Sequence, residues 1–158
     1  MIGVISDTHD NVTNIMKAVE LFKSYKVEFV VHCGDIIAPA TIQFFSGLKM
    51  KFVKGNCDGD IVNLKNKIKE IGGEFSDDIL VFNYKNKVFC VYHGHDKEKL
   101  NELVSSQKYD YLLVGHTHQR IDKMKGRTRL INPGGHYPTV SEKTIALIND
   151  DTVKFIKI

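Results

Sequence analysis

Seven side chains able to bind a metal punctuate this chain at short, recurring spacings: Asp7 and His9, Asp35, Asn56, His93, and His116 with His118. Each sits in a brief polar segment just after an apolar run: Ser6-Asp7-Thr8-His9, Cys33-Gly34-Asp35, Gly55-Asn56-Cys57-Asp58, His93-Gly94-His95 and Gly115-His116-Thr117-His118. Carboxylate, imidazole and amide oxygen suit divalent transition metals. Two Asp, four His and one Asn are enough to hold two such ions, with positions left open for water and substrate. A bare His-x-His is common by chance, but five such segments at strand ends form a pattern. In sheets of alternating strand and helix, ligands collect at the carboxyl ends of the strands, so residues far apart in sequence converge there.

The elements that must position these residues read as follows. Strands rich in Val, Ile, Phe and Tyr are predicted at Ile2–Ser6, Phe29–Cys33, Lys51–Lys54, Ile79–Tyr84, Val88–His93 and Tyr111–Gly115. Helical periodicity covers Asn11–Lys26, where Val12, Ile15, Met16, Val19 and Phe22 form one apolar face and Asp10 or Asn11 serves as cap. Pro39 fits the first turn of a second helix through Ile42, Phe44 and Phe45. A third helix covers Asp60–Ile71, stopped by Gly72-Gly73, and a fourth Lys97–Ser106. Hairpin turns are expected at Tyr84–Lys87 and at Asn149-Asp150-Asp151, the latter between strands Thr144–Ile148 and Val153–Ile158. The N-terminal part is therefore βαβα with parallel neighbours, and the C-terminal third is expected to be mostly antiparallel. Within an extended segment, residues i and i+2 point the same way, which would let Asp7 and His9, or His116 and His118, share one ion.

The chain has 158 residues, 42% hydrophobic and 26% charged, the composition of an ordinary soluble globule and long enough for one domain, residues 1–158. No apolar run is long enough to span a bilayer and no secretory leader is evident, so a cytoplasmic location with no membrane association is expected. Cys33, Cys57 and Cys90 are an odd number without CxxC spacing, which argues against a disulfide framework. The net charge of +3 is mild, and the basic clusters Lys49-Met50-Lys51 and Lys123–Arg127 are short and interrupted, so dedicated nucleic-acid binding is not expected. An edge strand at Val153–Ile158 would allow pairing into a homo-oligomer.

Taken together, the five segments and the later Asn132-Pro133-Gly134-Gly135 resemble the pattern of the calcineurin-like metallophosphoesterases, Asp-x-His, Gly-Asp, Gly-Asn, His and Gly-His-x-His. The similarity runs from Ile2 to at least Gly135 and is nearest the small YfcE-like phosphodiesterase branch. It implies an α/β (α+β) fold, a four-layer α-β-β-α sandwich of two mixed sheets with flanking helices and the metals at one rim. Carried over position by position, it assigns Asp7, His9 and His118 to one metal and Asn56, His93 and His116 to a second, with Asp35 bridging both. Mn²⁺ is the first choice, with Ni²⁺, Co²⁺, Fe²⁺ and Zn²⁺ as alternatives, since imidazole disfavours Mg²⁺ and Ca²⁺. Two divalent ions bring +4 and the two carboxylates −2, leaving a site of about +2 that a bridging hydroxide and a phosphodiester anion would nearly neutralise.

The resemblance implies hydrolysis of a small phosphodiester by a metal-activated bridging hydroxide. Cys57 stands where many relatives carry a leaving-group-protonating His, with Asp58 beside it. That places Asn56, Cys57 and Asp58 as candidate catalytic residues and favours diesters over monoesters. Asn11 caps the first helix or reaches a phosphate oxygen; His95 supports a ligand or faces substrate. Ser6, Thr8, His32 and His136 have readier structural explanations, His32 as a near-core residue and His136 as a loop residue. Alternatives are a phosphomonoesterase or cyclic-nucleotide hydrolase on the same metal core, or an interaction scaffold of the retromer-subunit type, against which all seven ligand positions are filled.

Overall fold

Uninterrupted apolar runs dictate strands buried on both faces, and the computed structural model, which describes residues 1–158, has two such sheets face to face. In chain order the elements are β1 (Ile2–Ile5), α1 (Val12–Ser24), β2 (Val30–His32), a 3₁₀ helix (Pro39–Phe45), β3 (Met50–Val53), α2 (Ile61–Glu70), β4 (Glu74–Ser76), β5 (Ile79–Tyr84), β6 (Lys87–Tyr92), α3 (Lys97–Ser105), β7 (Tyr111–Leu113), β8 (Arg120–Lys125), β9 (Thr128–Pro133), β10 (Thr144–Asn149) and β11 (Thr152–Lys157). The first sheet is ordered β11-β10-β1-β2-β3-β4 and the second β5-β6-β7-β9-β8.

Alternation along each strand sorts side chains between layers. Val4, Val31 and Val53 meet Phe89, Val91, Leu113 and Ile131 between the sheets. Ile5, Val30 and Phe52 turn outward onto Ile15, Phe22, Ile42 and Leu64 of the helices. On the other side Cys90, Tyr92 and Leu112 pack on Leu103 of α3. The result is the α-β-β-α sandwich. Cys33 and Cys90 are buried within it as free thiols, whereas Cys57 is exposed.

Several expectations need adjustment. The segment begun by Pro39 is a 3₁₀ helix, with no side-chain hydrogen bond at its N-cap. The C-terminal region is less antiparallel than expected, because β7 pairs parallel with both β6 and β9. Three strands, β4, β8 and β9, lie outside the predicted set; β4 and β8 are edges. The turn at Lys85-Asn86 is the expected hairpin, with both residues left-handed (φ 46° and 60°) as a type I′ turn demands. No helix is long and apolar enough to cross a membrane.

Candidate metal centre

Where β1, β2, β3, β6 and β7 end, the chain enters loops that gather at one rim. Asp7, His9, Asp35, His116 and His118 all have positive φ, between 43° and 65°. The two Asp/His-x-His pairs are thus left-handed turns rather than extended segments, which corrects the i, i+2 argument. Such a backbone is unfavourable for L residues and persists only where surroundings impose it. Here the first two loops are laced together: Asp7 N donates to Gly34 O (3.0 Å), His9 N to Asp35 O (3.1 Å) and Asp10 N to Ile36 O (3.1 Å). Gly55 and Gly115 allow the loops to touch, since a methyl on either would overlap the Asp35 carboxylate or Ser6 Oγ, respectively.

The seven expected side chains fall into two groups. Ligand atoms of Asp7, His9, Asp35 and His118 all lie within 4.8 Å of one another, with His9 Nε2 and His118 Nε2 3.3 Å apart. In the second group, Asn56 Oδ1 is 3.0 Å from both His93 Nε2 and His116 Nδ1. Asp35 faces both: its Oδ2 is 3.6 Å from His9 Nε2 and its Oδ1 3.4 Å from His93 Nε2. Oxygen and imidazole nitrogen lone pairs converging this closely fit a pair of borderline transition-metal ions. His93 is oriented through its other nitrogen, which donates to Cys33 O at 2.8 Å and leaves Nε2 to the group.

Beneath the groups, buried polar side chains fix the loops. Asp58 Oδ2 accepts from Asp35 N (3.1 Å) and Gly55 N (2.7 Å), and its Oδ1 from Ile36 N (2.8 Å) and Ile37 N (2.9 Å). Only 4% exposed, this candidate catalytic residue spends both carboxylate oxygens on backbone N–H groups and so supports the loops that carry Asp35 and Asn56. It pins Ile37 at φ 87°, a conformation costly for a β-branched residue. Asp10 Oδ1 accepts from Ala38 N (2.9 Å) on the same segment. Asn132 Nδ2 donates to Gly115 O (2.7 Å), bracing the turn that presents His116 and His118.

Burial and charge set the proton inventory. Burial pushes the Asp7 carboxyl up to about 7, against the lowering influence of Ser6, His93 and the His116 N–H. Burial would also raise Asp35, but its hydrogen bond and ion pair with His93 and the Cys57 N–H outweigh it and hold Asp35 well below the usual range. The same pairing raises His93 despite burial. A metal held by these groups would need the Asp7 carboxylate and a free His93 Nε2, so its binding would expel protons that the metal-free protein holds below neutrality. The apparent affinity for a divalent transition metal is therefore expected to rise steeply as pH climbs from about 5 to about 7. Calorimetry in buffers of different ionisation enthalpy reads the released protons directly, and a pH-independent affinity would contradict this.

The remaining candidates lie around the groups. His95 is exposed at the rim, its ring 5.7 Å from His93 and 6.4 Å from His116. Cys57 Sγ receives Asn56 Nδ2 at 3.3 Å, which turns Oδ1 towards the imidazoles; burial and then Asp35 push its thiol up to about 11. Asn11 is occupied as a cap, Oδ1 accepting from Asn14 N (3.1 Å) and Nδ2 donating to His136 O (3.2 Å). His32 is fully buried, accepting from Gly34 N and paired with Thr8 Oγ1 at 3.0 Å. His136 is a loop residue but wholly buried, both ring nitrogens without a partner. Tyr137, not singled out in the sequence, stands against His9 and His118; only its place after a glycine turn could have drawn attention to it.

Comparison with known proteins gives the family and the fold. The calcineurin-like phosphoesterase superfamily domain matches residues 1–152. Phosphodiesterase MJ0936 of Methanocaldococcus jannaschii is 38% identical over 136 residues, 84% of this chain and 82% of that one. The solved structure of a novel archaeal phosphodiesterase superposes with a TM-score of 0.93 at 32% identity over 99% of each chain. YfcE, a phosphoesterase from E. coli, gives 0.73 at 17% identity over 96% of this chain and 90% of that one. Vps29 of Entamoeba histolytica, solved with zinc, gives 0.65 at 20% identity over 99% and 97%. The last two likenesses speak to the fold alone.

Proposed function

The chain belongs to the calcineurin-like phosphoesterase superfamily, and from that premise we propose that it is a dinuclear metal-dependent phosphodiesterase whose single domain spans residues 1–158. The observation that carries the reading is the division of seven ligand side chains into two groups that share Asp35, one carboxylate oxygen to each. Asp7, His9 and His118 would complete one shell and Asn56, His93 and His116 the other, with Mn²⁺ the preferred ion. Two divalent ions, when bound, lower the pKa of a shared water and neutralise charge on the phosphoryl oxygens.

The chain's own residues do the rest. Asp35 and Asp7 offset part of the metal charge, so that a singly charged diester is balanced more nearly than a dianion. His93, locked by Cys33 O, keeps its position without reorganising during reaction, and Asn56 Nδ2 rests only loosely on Cys57 Sγ at 3.3 Å. No side-chain nucleophile is needed: the Cys57 thiol, raised to about 11, stays protonated at neutral pH. It also surrenders its proton reluctantly, which favours esters whose leaving groups need little protonation.

Metal analysis of the loaded protein, paired with turnover of diesters against monoesters, tests the proposal. Two ions per chain and a diester preference are expected; one ion, or no turnover with two bound, would refute it. Cys57→Ala should retain activity on an activated aryl diester within about tenfold, while Cys57→His, by supplying a general acid, should raise the monoester-to-diester ratio of kcat/KM by about tenfold or more. If that ratio does not move with metals fully bound, position 57 does not select the substrate class.

A further inference from the structure

Of the large apolar side chains left exposed, Met16, Tyr25, Val62, Val81, Met124 and Tyr137, the ring of Tyr137 packs against imidazoles of the first ligand group. Its ring is 5.1 Å from that of His9, edge-on at 75°, and 5.9 Å from that of His118 at 38°. The residue is 44% exposed although its ring packs beside both imidazoles, so a ligand approaching them meets it as well. Its position is fixed from behind. The adjoining His136 is fully buried, its N–H donates to Asp7 O at 2.9 Å, and its carbonyl accepts from Asn11 Nδ2 at 3.2 Å. The Tyr137 carbonyl in turn accepts from Val140 N at 3.0 Å, closing the turn that follows.

A phosphoryl group has no apolar surface and gains nothing from an aromatic face. An organic substituent on that phosphoryl does. We propose that Tyr137 is a substrate-binding residue that stacks on an aromatic arm of the ester, an aryl group or nucleobase, and so biases the enzyme towards diesters carrying one. This rests on the phosphodiesterase reading for its substrate, but not for its test. On the opposite side of the opening, His95 borders the second group, so the two arms of a diester would have separate walls, Tyr137 for one and His95 for the other. Stacking of a base on an aromatic side chain typically changes affinity by about 5- to 150-fold when the ring is removed.

The test uses the full-length, Mn²⁺-loaded protein and two ligands that cannot be hydrolysed, phenylphosphonate and methylphosphonate, titrated calorimetrically. The wild type should bind the phenyl compound at least about tenfold more tightly. Tyr137→Ala should erase the difference while leaving methylphosphonate affinity and bound metal unchanged, and Tyr137→Phe should preserve it, because the face rather than the hydroxyl is used. No phenyl preference in the wild type, or an equal preference in Tyr137→Ala, would overturn the proposal. Turnover of bis(4-nitrophenyl) phosphate, measured separately, reports on the parent reading. Stacking without turnover would leave Tyr137 a ligand platform and remove the hydrolase, while turnover with no phenyl preference would do the reverse.

Discussion

Asp35→Ala is expected to cut diester hydrolysis by on the order of 10⁴-fold and to lower the bound metal from two ions per chain to one or none. Removing a single preorganised electrostatic contact from an active site commonly costs 10²–10³-fold. On the bridging assignment Asp35 serves both ligand groups, so its loss would damage two shells at once and also raise the site's net charge. Circular dichroism separates the effect from unfolding: the carboxylate's contacts are the Cys57 N–H at 2.9 Å and the imidazoles of His93 and His9, all within the loops of the rim. Asp35→Asn separates charge from shape: it keeps the side chain in place but should still lose most activity. Metal content by elemental analysis, read beside turnover, decides the matter. Two ions retained by Asp35→Ala would end the bridging assignment.

A large effect on stability is expected from Asp58→Ala. Four backbone N–H groups donate to that carboxylate, and its removal leaves three of them buried and that of Ile37 half-buried without this partner. Each unsatisfied donor costs about 1–3 kcal/mol, and allowing for relaxation and water entry the sum is about 4–6 kcal/mol. For a chain of this size that corresponds to a fall in Tm of about 10–20 °C. Asp58→Asn should fall between, since an amide offers one acceptor oxygen where four donors point. Activity below the transition should drop by more than the folded fraction does, because the loop carrying Asp35 loses its clamp. A Tm within a few degrees of wild type for Asp58→Ala would show that the clamp is not what holds Ile37 at φ 87°.

The portions of the molecule readable in its sequence are those with a local cause. Runs such as Ile2–Ile5 and Phe89–Tyr92 are apolar at successive positions because both faces are covered, and the glycines at 34, 55 and 115 mark where polar loops must pass close to one another. β8 was not readable: Arg120–Lys125 is an outer edge with Ile121 its one half-buried residue, so no apolar alternation exists to find. The left-handed backbone at Asp7, His9 and His116 was equally hidden, since bonds between loops distant in sequence impose it. Asp58 illustrates the same limit. The resemblance makes it a catalytic candidate beside Cys57, but its partners at 35–37 become visible only when the loops are brought together.

Each ligand group draws on both layers of the sandwich: Asp7, His9, Asp35 and Asn56 follow strands of the first sheet, and His93, His116 and His118 strands of the second. On the dinuclear reading, bound ions are therefore cross-links as well as reagents, and unfolding, which parts the sheets, must release them. Free metal at about 100 times its dissociation constant would add about 2.7 kcal/mol per site to the unfolding free energy. Resistance to heat and to proteases would then track the metal supply, so that a chain starved of ions becomes inactive and easier to degrade through the same vacancy.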